Sequence, residues 1–496
     1  MTSLREQATD AMKRGQYLDA VDIYTRLMPD SKSKHVLLSN RSKAYFDAGH
    51  YTQAASDARA CIKLQPAYQK GMWRLAKATS ALGEHEEAFR AYLTIIRCKG
   101  VRETIQKMDV SGPAISALMS HIRQQGGTIT SCVVAKDTSN VRGVVVLENA
   151  RPGTDIIRVP YDALLTENAG RMTSWGRDIV DKTHDVAYDF VLYLIFAVVQ
   201  RMIEDPNDPY IISLPSDYTY MSAFWNEREF AMLRGSHVIE QVQKRQRLIR
   251  NEYTFLKVNV PDFVDKCPFE RYAHFRTMVC SRNFTFRRHG QQERALVPFA
   301  DLLNHDTTPN TNWFFDDMSE CFCVRAAKKI EVGDTLTDSY GKRNNATLMS
   351  VYGFALHDNQ YDYVYCAGLY LFRNPELKAA RDHFDELRAN INGHSPLKRE
   401  VSMLQDIRAK AARQAMEYLH SWQEDVDWLE QHTEPSVERF IRIATLSEKN
   451  ILKAWIDIAN ECLRIRSPRQ HKKAKRRWKK ESKGERIYLK YFAKLS

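Results

Sequence analysis

Four stretches of this 496-residue chain concentrate side chains that could bind or react with a ligand. VRGVVVLENARPGTDIIRVP, residues 141 to 160, sets Arg142 and Gly143 ahead of a run of valines. SRNFTF, residues 281 to 286, places Arg282 close to Phe284. ALVPFADLLNHDTTPN, residues 295 to 310, holds Asn304 and His305 with the small Ala300 before them. IEVGDTLTDSYGKRNNATLMSVYGF, residues 330 to 354, carries Tyr340, Tyr352 and Phe354. Taken singly, each has an ordinary reading. The first is a β-hairpin turning at Arg151-Pro152-Gly153, a lone His305 is structural or a metal ligand, and a Tyr-Gly pair is a strand end beside a turn. Arginine and asparagine donate hydrogen bonds to carboxylates, and aromatic rings build an apolar wall.

Together, and in this order, the stretches resemble the SET domain of protein methyltransferases. Asn304 and Tyr340 stand 36 residues apart, and Pro298, Asp301 and Pro309-Asn310 flank the Asn-His pair as in that family. The resemblance implies that Asn304 and His305 meet S-adenosylmethionine, that Arg142 and Gly143 lie on a turn near it, and that Arg282 meets its carboxylate. It makes Tyr340 the catalytic tyrosine, also at the cofactor, on a chain segment threaded as a pseudoknot. It puts Phe284, Ala300, Tyr352 and Phe354 around the acceptor. Val141 departs from the pattern, standing where the turn often has another glycine. Phe284 and Ala300 are apolar where histidine-methylating relatives carry polar or bulkier residues, so the resemblance favours lysine.

The implied reaction is an in-line attack by a lysine nitrogen on a sulfonium methyl. The amine must be neutral, which at pH 7 costs roughly 4.6 kcal/mol in water from a reference pKa of about 10.4. An apolar channel beside a positive sulfonium lowers that cost, and holding the reactants collinear supplies much of the rest. No metal or general base is invoked.

These residues need a scaffold. From about Gly126 the pattern becomes strand-like, as in Thr128 to Ala135 and Val141 to Leu147. Residues 168 to 280 form a helix-rich insertion that includes the apolar run Phe190 to Val199, and residues 370 to 463 are helical again. At ten residues that run is too short to cross a bilayer, which needs about 20. The arrangement resembles the Rubisco large-subunit methyltransferase class over about residues 120 to 460.

The N-terminus obeys another rule. Gly15, Gly49 and Gly83 are spaced by 34 residues, as are Ala20, Ala54 and Ala88, while Tyr17, Tyr51 and His85 keep the same step. This resembles three tetratricopeptide (TPR) repeats over about residues 3 to 100, with Gly and Ala letting helices approach and Tyr24 and Leu64 filling gaps. In TPR proteins that hold acidic chaperone tails, five polar residues form a carboxylate clamp. Aligned on the glycines, its positions here are Arg5, Thr9, Asn40, Lys70 and Arg74, with Thr9 departing from the usual Asn. The implied partner is the C-terminal tail of a heat-shock chaperone; the bland alternative is a solvated polar face.

The expected architecture is therefore multidomain α+β: a TPR solenoid (1–100), a linker (101–125), a SET domain with a helical insertion (126–369), a helical substrate-binding-like domain (370–463) and a basic tail (464–496). Between Arg464 and Lys490 the net charge is +11, almost all of the chain's +12. That places polyanion adhesion or a nuclear import signal in the tail and leaves the rest close to neutral; the expected compartment, from the unpaired cysteines, is cytoplasmic, with the nucleus open through the tail. The nine cysteines are scattered, without a CxxC pair, which argues against a zinc cage or disulfide framework. A binding protein with an inactive SET domain is the alternative in a different class.

Overall fold

A computed structural model describes residues 4–29, 31–96, 101–106, 111–136, 142–183, 190–374 and 396–464. Val141, residues 375–395 and the tail beyond Arg464 lie outside the described residues. Two compact units result: Met1–Thr166 with Arg201–Leu214 and Phe284–Ser339, and Glu167–Gln200 with Pro215–Asn283 and Tyr340–Ser496.

The first unit opens with six helices in pairs: Leu4–Lys13 and Tyr17–Leu27, Lys34–Asp47 and Tyr51–Leu64, Gln69–Ala81 and His85–Thr94. The 34-residue step has two physical causes. Ala20, Ala54 and Ala88 are wholly buried between helices, where a larger side chain would hold them apart. Gly15, Gly49 and Gly83 serve differently from the close approach anticipated for them. A Cβ at any of them would touch nothing, but each has φ near +80°, the left-handed conformation that ends a helix. Tyr24 is buried as anticipated, whereas Leu64 is 55% exposed and fills no gap.

The segment anticipated as a linker is structured. It carries helices Val101–Gln106 and Pro113–Gln124, which bury Val101, Ile105, Ile115, Leu118 and Ile122. Strands follow: β1 (Thr128–Ile129), β2 (Cys132–Lys136), β3 (Arg142–Val146), β4 (Asp155–Pro160), β5 (Leu165–Thr166), β6 (Asn283–Arg288), β7 (Gln291–Leu296), β8 (Asn304–His305), β9 (Thr311–Asp316), β10 (Cys321–Ala326) and β11 (Thr337–Asp338). The run read as one strand from Thr128 is broken at Thr130–Ser131, and its halves join different sheets. β2 pairs with β3, while β1 pairs with β4 in the order β1-β4-β10-β9. Arg151-Pro152-Gly153 does turn, with Gly153 at φ 88, but β3 and β4 do not pair across it. The third sheet runs β5-β7-β6.

One apolar cluster joins the repeats to the strands. Phe89, Leu93, Ile95 and Ile96 from the third repeat share it with Val133 and Ala135 of β2, Val145 of β3, and Leu147. Its helical and strand parts therefore share one core.

The second unit holds helices Glu167–Arg171, Ser174–Thr183, Val238–Asn259 and Phe269–Arg282, and most of Phe190–Glu204, in which Val191 through Val199 are buried. Its C-terminal part packs helices Pro396–Ala415 and Val437–Arg464 on a hairpin, β12 (Tyr363–Cys366) with β13 (Leu369–Phe372), over a core that includes Trp455, while Trp422–Gln431 joins Val437–Arg464 in a separate cluster through Leu429 and Ile441. No helix among the described residues is long and apolar enough to cross a membrane.

The shared cluster predicts the effect of truncation. Removing residues 1–96 uncovers Ala135 and the larger Val133, Val145 and Leu147, the last three each worth about 1.5–3 kcal/mol when fully buried. Thermal unfolding of the remaining chain should show Tm lower by roughly 10 °C or more, or a loss of soluble protein. A truncated chain melting with the full-length protein would show that the repeats are energetically independent.

Candidate functional site

In the first unit four of the anticipated ligand residues, Arg142, Gly143, Asn304 and His305, lie around one strand that pairs on two sides. Residues 333–338 run beside β3 and then beside β8. Leu336 N donates to Val144 O (2.7 Å), Gly333 N donates to Val146 O (2.9 Å), and β11 pairs in parallel with β8, Thr337 opposite Asn304 and Asp338 opposite His305. Asn310 clamps the same segment, its Nδ2 donating to Thr335 O (2.8 Å) and its Oδ1 accepting from Thr337 N (2.8 Å).

This double pairing brings Asn304 onto the start of β3. Its Nδ2 donates to Arg142 O at 2.7 Å. A Cβ at Gly143 would lie 2.9 Å from that same nitrogen and 2.9 Å from Thr335 Cγ2. Only glycine admits the amide so close, so Gly143 and Asn304 are fitted to each other. Arg142 itself points to solvent. His305 is half-buried, and burial lowers its imidazole below the ordinary range, against Asp306 and the Asp338 backbone, so it is neutral at pH 7.

Phe284 lies edge-on to Trp313 and Phe322, with ring centroids 5.4 and 5.0 Å away, and keeps a half-buried face. Ala300 is on the short turn Ala300–Leu302 and is only 1% exposed, so its methyl is packed inside rather than presented.

In the second unit the aromatic residues come together. Tyr340 stacks on Tyr352 at 4.6 Å, and Phe354 stands 6.3 Å from each. Tyr352 closes a π-helical turn, Leu348–Tyr352, and Gly353 follows at φ 78, where its Cβ would strike Met221 Sδ at 2.4 Å. Such a turn is a common device for aiming side chains at a site. Arg282 ends its helix, and its Nε donates to Tyr218 Oη at 2.9 Å. Tyr218, Tyr220 and Met221 were absent from the sequence reading; the aromatic density of DYTYMSAFW, residues 217 to 225, was the available signal.

The five anticipated clamp residues lie on the first helix of each repeat: Arg5 and Thr9 on Leu4–Lys13, Asn40 on Lys34–Asp47, Lys70 and Arg74 on Gln69–Ala81. Arg5, Thr9 and Lys70 are exposed, while Asn40 and Arg74 are half-buried. The Thr9 hydroxyl donates to Arg5 O at 2.9 Å, which ties it to its own helix. Arg74 Nε is buried without a hydrogen-bond partner among the described residues, and burial lowers the basicity of its guanidinium against the nearby Asp47 and Tyr68. A desolvated cation of this kind favours an incoming anion.

Residues 141–341 match the SET domain family. The N-lysine methyltransferase setd6 of Xenopus tropicalis is 26% identical over 247 residues, 45% of this chain and 52% of that protein. The ribosomal lysine N-methyltransferase 4 of Saccharomyces cerevisiae is 21% identical over 253 residues, 45% and 51%. The chain thus spans about half the length of these methyltransferase relatives. The N-terminal array is similar to serine/threonine-protein phosphatase 5 of Homo sapiens, 34% identical over 96 residues, 19% of each chain. It is also similar to the heat-shock protein cognate co-chaperone sgt12 of Aspergillus fumigatus, 32% over 97 residues, 20% and 28%. Among solved structures, the SET domain of LSMT bound to methyl-lysine and AdoHcy superposes with a TM-score of 0.57 at 18% identity, covering 71% of this chain and 93% of that one. The fold is therefore a SET fold with an N-terminal TPR-like array.

Asp338, on the doubly paired strand, supplies a pH prediction. Burial pushes its carboxyl up to about 6, against hydrogen bonds from the Ser339 amide and the Trp313 indole. The unfolded chain releases this proton near pH 4, so folding takes up a proton between the two values. The resulting stabilisation is fully present below about pH 4 and is lost as the pH rises through 6. Asp338→Asn has no proton to lose, so its stability relative to wild type should improve by on the order of 2 kcal/mol between pH 4 and 7. Denaturant titrations giving a pH-independent difference would refute the shifted carboxyl.

Proposed function

We propose that this chain transfers a methyl group from S-adenosylmethionine to a lysine of another protein, and that its TPR-like array recruits a partner by an acidic C-terminus. The fit of the Asn304 amide onto Gly143 is the observation that carries the first half, because it leaves backbone and a polar side chain at close quarters where the SET resemblance puts the cofactor. The SET resemblance assigns Asn304, His305, Arg142 and Gly143 of the first unit to the cofactor, and within the second unit it assigns Arg282 and Tyr340. When bound, it supplies a methyl carried by a positively charged sulfur. The neutral state of His305 suits it to donate or accept one hydrogen bond without adding charge.

The chain's own aromatic residues do the remainder. Tyr340, Tyr352 and Phe354 form a wall of low polarity, which disfavours an ammonium and so promotes the neutral amine that attack requires. The Tyr340 hydroxyl orients that amine. Phe284 offers no hydrogen bond to an imidazole but suits an alkyl stem, which supports lysine over histidine; the buried Ala300 adds little to this. The methyltransferase relatives, named for lysine, support the same reading.

Calorimetry should detect S-adenosylmethionine binding, and Asn304→Ala should weaken it by roughly 1.5 to 3 kcal/mol while the fold persists. Labelling a lysate with wild-type and Tyr340→Phe proteins, followed by mass spectrometry, should find methyl-lysine with the first and a strong loss with the second. A chain that binds no cofactor would be a SET-fold adaptor, and a product of N-methylhistidine alone would overturn the lysine argument.

For the array, the buried Arg74 Nε, without a hydrogen-bond partner among the described residues and one turn from the exposed Lys70 on the same helix, supports a carboxylate ligand, and the chaperone-linked relative suggests a heat-shock chaperone tail. Because Thr9 already serves its own helix, the expected binding is weaker than a full clamp would give. Lys70→Glu should abolish binding of a peptide ending in Asp, and amidating that peptide's C-terminus should do the same. Equal binding of free-acid and amidated peptides would leave these residues a solvated face.

A further inference from the structure

Resting on the cofactor reading above, we propose that Tyr218 is a positioning residue that presets the Arg282 guanidinium for the carboxylate of S-adenosylmethionine. The argument lies wholly within the second unit. Tyr218 is 3% exposed, stacks nearly parallel on Tyr220 (6.2 Å, 14°) and meets the His274 ring edge-on (4.9 Å, 88°). His274 lies two turns before Arg282 on the same helix, so the helix that carries the arginine also fixes the ring that receives it. An Asx turn sets the approach, with Thr219 N donating to Asp217 Oδ1 at 2.8 Å, and Met221 N then donates to Tyr218 O at 2.9 Å. The phenol oxygen is thus held in one place.

Arg282 Nε donates to it at 2.9 Å. A hydrogen bond at Nε has a particular consequence. It fixes rotation about Cδ–Nε, and with it the plane of the guanidinium. Arginine's long stem carries substantial rotamer entropy, and a fork already oriented loses less of it when an anion binds. The same stretch, through Met221 and Tyr220, packs over Gly353 in the aromatic turn. Residues 217–221 therefore tie the arginine to the Tyr340–Tyr352 stack through contiguous packing.

Tyr218→Phe deletes the hydroxyl and keeps both ring contacts. Calorimetry on the full-length protein should show S-adenosylmethionine binding weakened about five- to tenfold, the cost of ordering one long, rotamer-rich side chain at the moment of binding. The kcat at saturating cofactor should stay within about twofold. 5′-Methylthioadenosine, which lacks the amino-acid carboxylate, should bind wild type and variant alike, a result that a merely structural tyrosine would not give. In an Arg282→Ala background, Tyr218→Phe should add no further loss. If wild type binds no S-adenosylmethionine, the cofactor reading fails and this assignment falls with it. If wild type binds it but the variant matches wild type, or weakens both ligands equally, the assignment to Tyr218 alone is overturned.

Discussion

The doubly paired strand at residues 333–338 is the constraint on which the first unit depends. It must satisfy β3 on one stretch and β8 on the next, and its parallel pairing with β8 is only two residues long. So short a ladder has little intrinsic strength. Asn310 makes up the difference, serving as donor to Thr335 O and acceptor from Thr337 N, while Thr311 Oγ1 donates to Thr337 O at 2.8 Å. Buried side-chain bonds of this sort set register where backbone pairing is too brief to do so. Because register fixes which side chain faces β3, the approach of the Asn304 amide to Gly143 follows from it.

A comparable division of labour anchors the aromatic turn in the second unit. Asp362 is 2% exposed and accepts from Asn345 N (2.6 Å), Asn345 Nδ2 (2.8 Å) and Ser447 Oγ (2.5 Å). Asn345 opens the helical turn that runs into Leu348–Tyr352, and Ser447 belongs to the long C-terminal helix. A buried carboxylate is tolerated when its lone pairs are filled, and here the groups that fill them come from the aromatic turn's base and from the C-terminal helix. The C-terminal helical region is therefore part of what holds Tyr352 in place, whatever else it binds.

The N-terminal repeats are likewise more than an appendage. Solenoid repeats stack on their neighbours and need a cap at each end. Here the third repeat is capped by β2 and β3, whose Val133, Ala135 and Val145 complete its core. Lys136 Nζ and Glu86 Oε2, 3.3 Å apart at the rim, add little, being exposed. The strand that begins at Arg142 and Gly143 thus has the repeats packed against its later residues.

What the sequence by itself determined was whatever local spacing encodes. The 34-residue step implied paired helices, the order of Asn304, His305 and Tyr340 implied a SET fold, and the run Phe190 to Val199 implied a buried helix, because periodicity and motif order survive in one dimension. Where a decision depended on neighbours far along the chain, the sequence was silent or misleading. Thr128–Ala135 read as one strand because its residues share one propensity, yet two partners divide it. Residues 101–125 read as a linker because their helices are short, yet tertiary burial of Ile105 and Ile122 stabilises them. Leu64 read as core by its position in the repeat, yet more than half of it stays exposed. The repeat glycines were legible as positions but not as reasons, since φ is a property of the folded backbone. The pairing of Tyr218 with Arg282, 64 residues apart, and the closeness of Gly143 to Asn304 were decided by tertiary structure alone: each is a contact between side chain and distant partner, fixed by register and packing that no local pattern records.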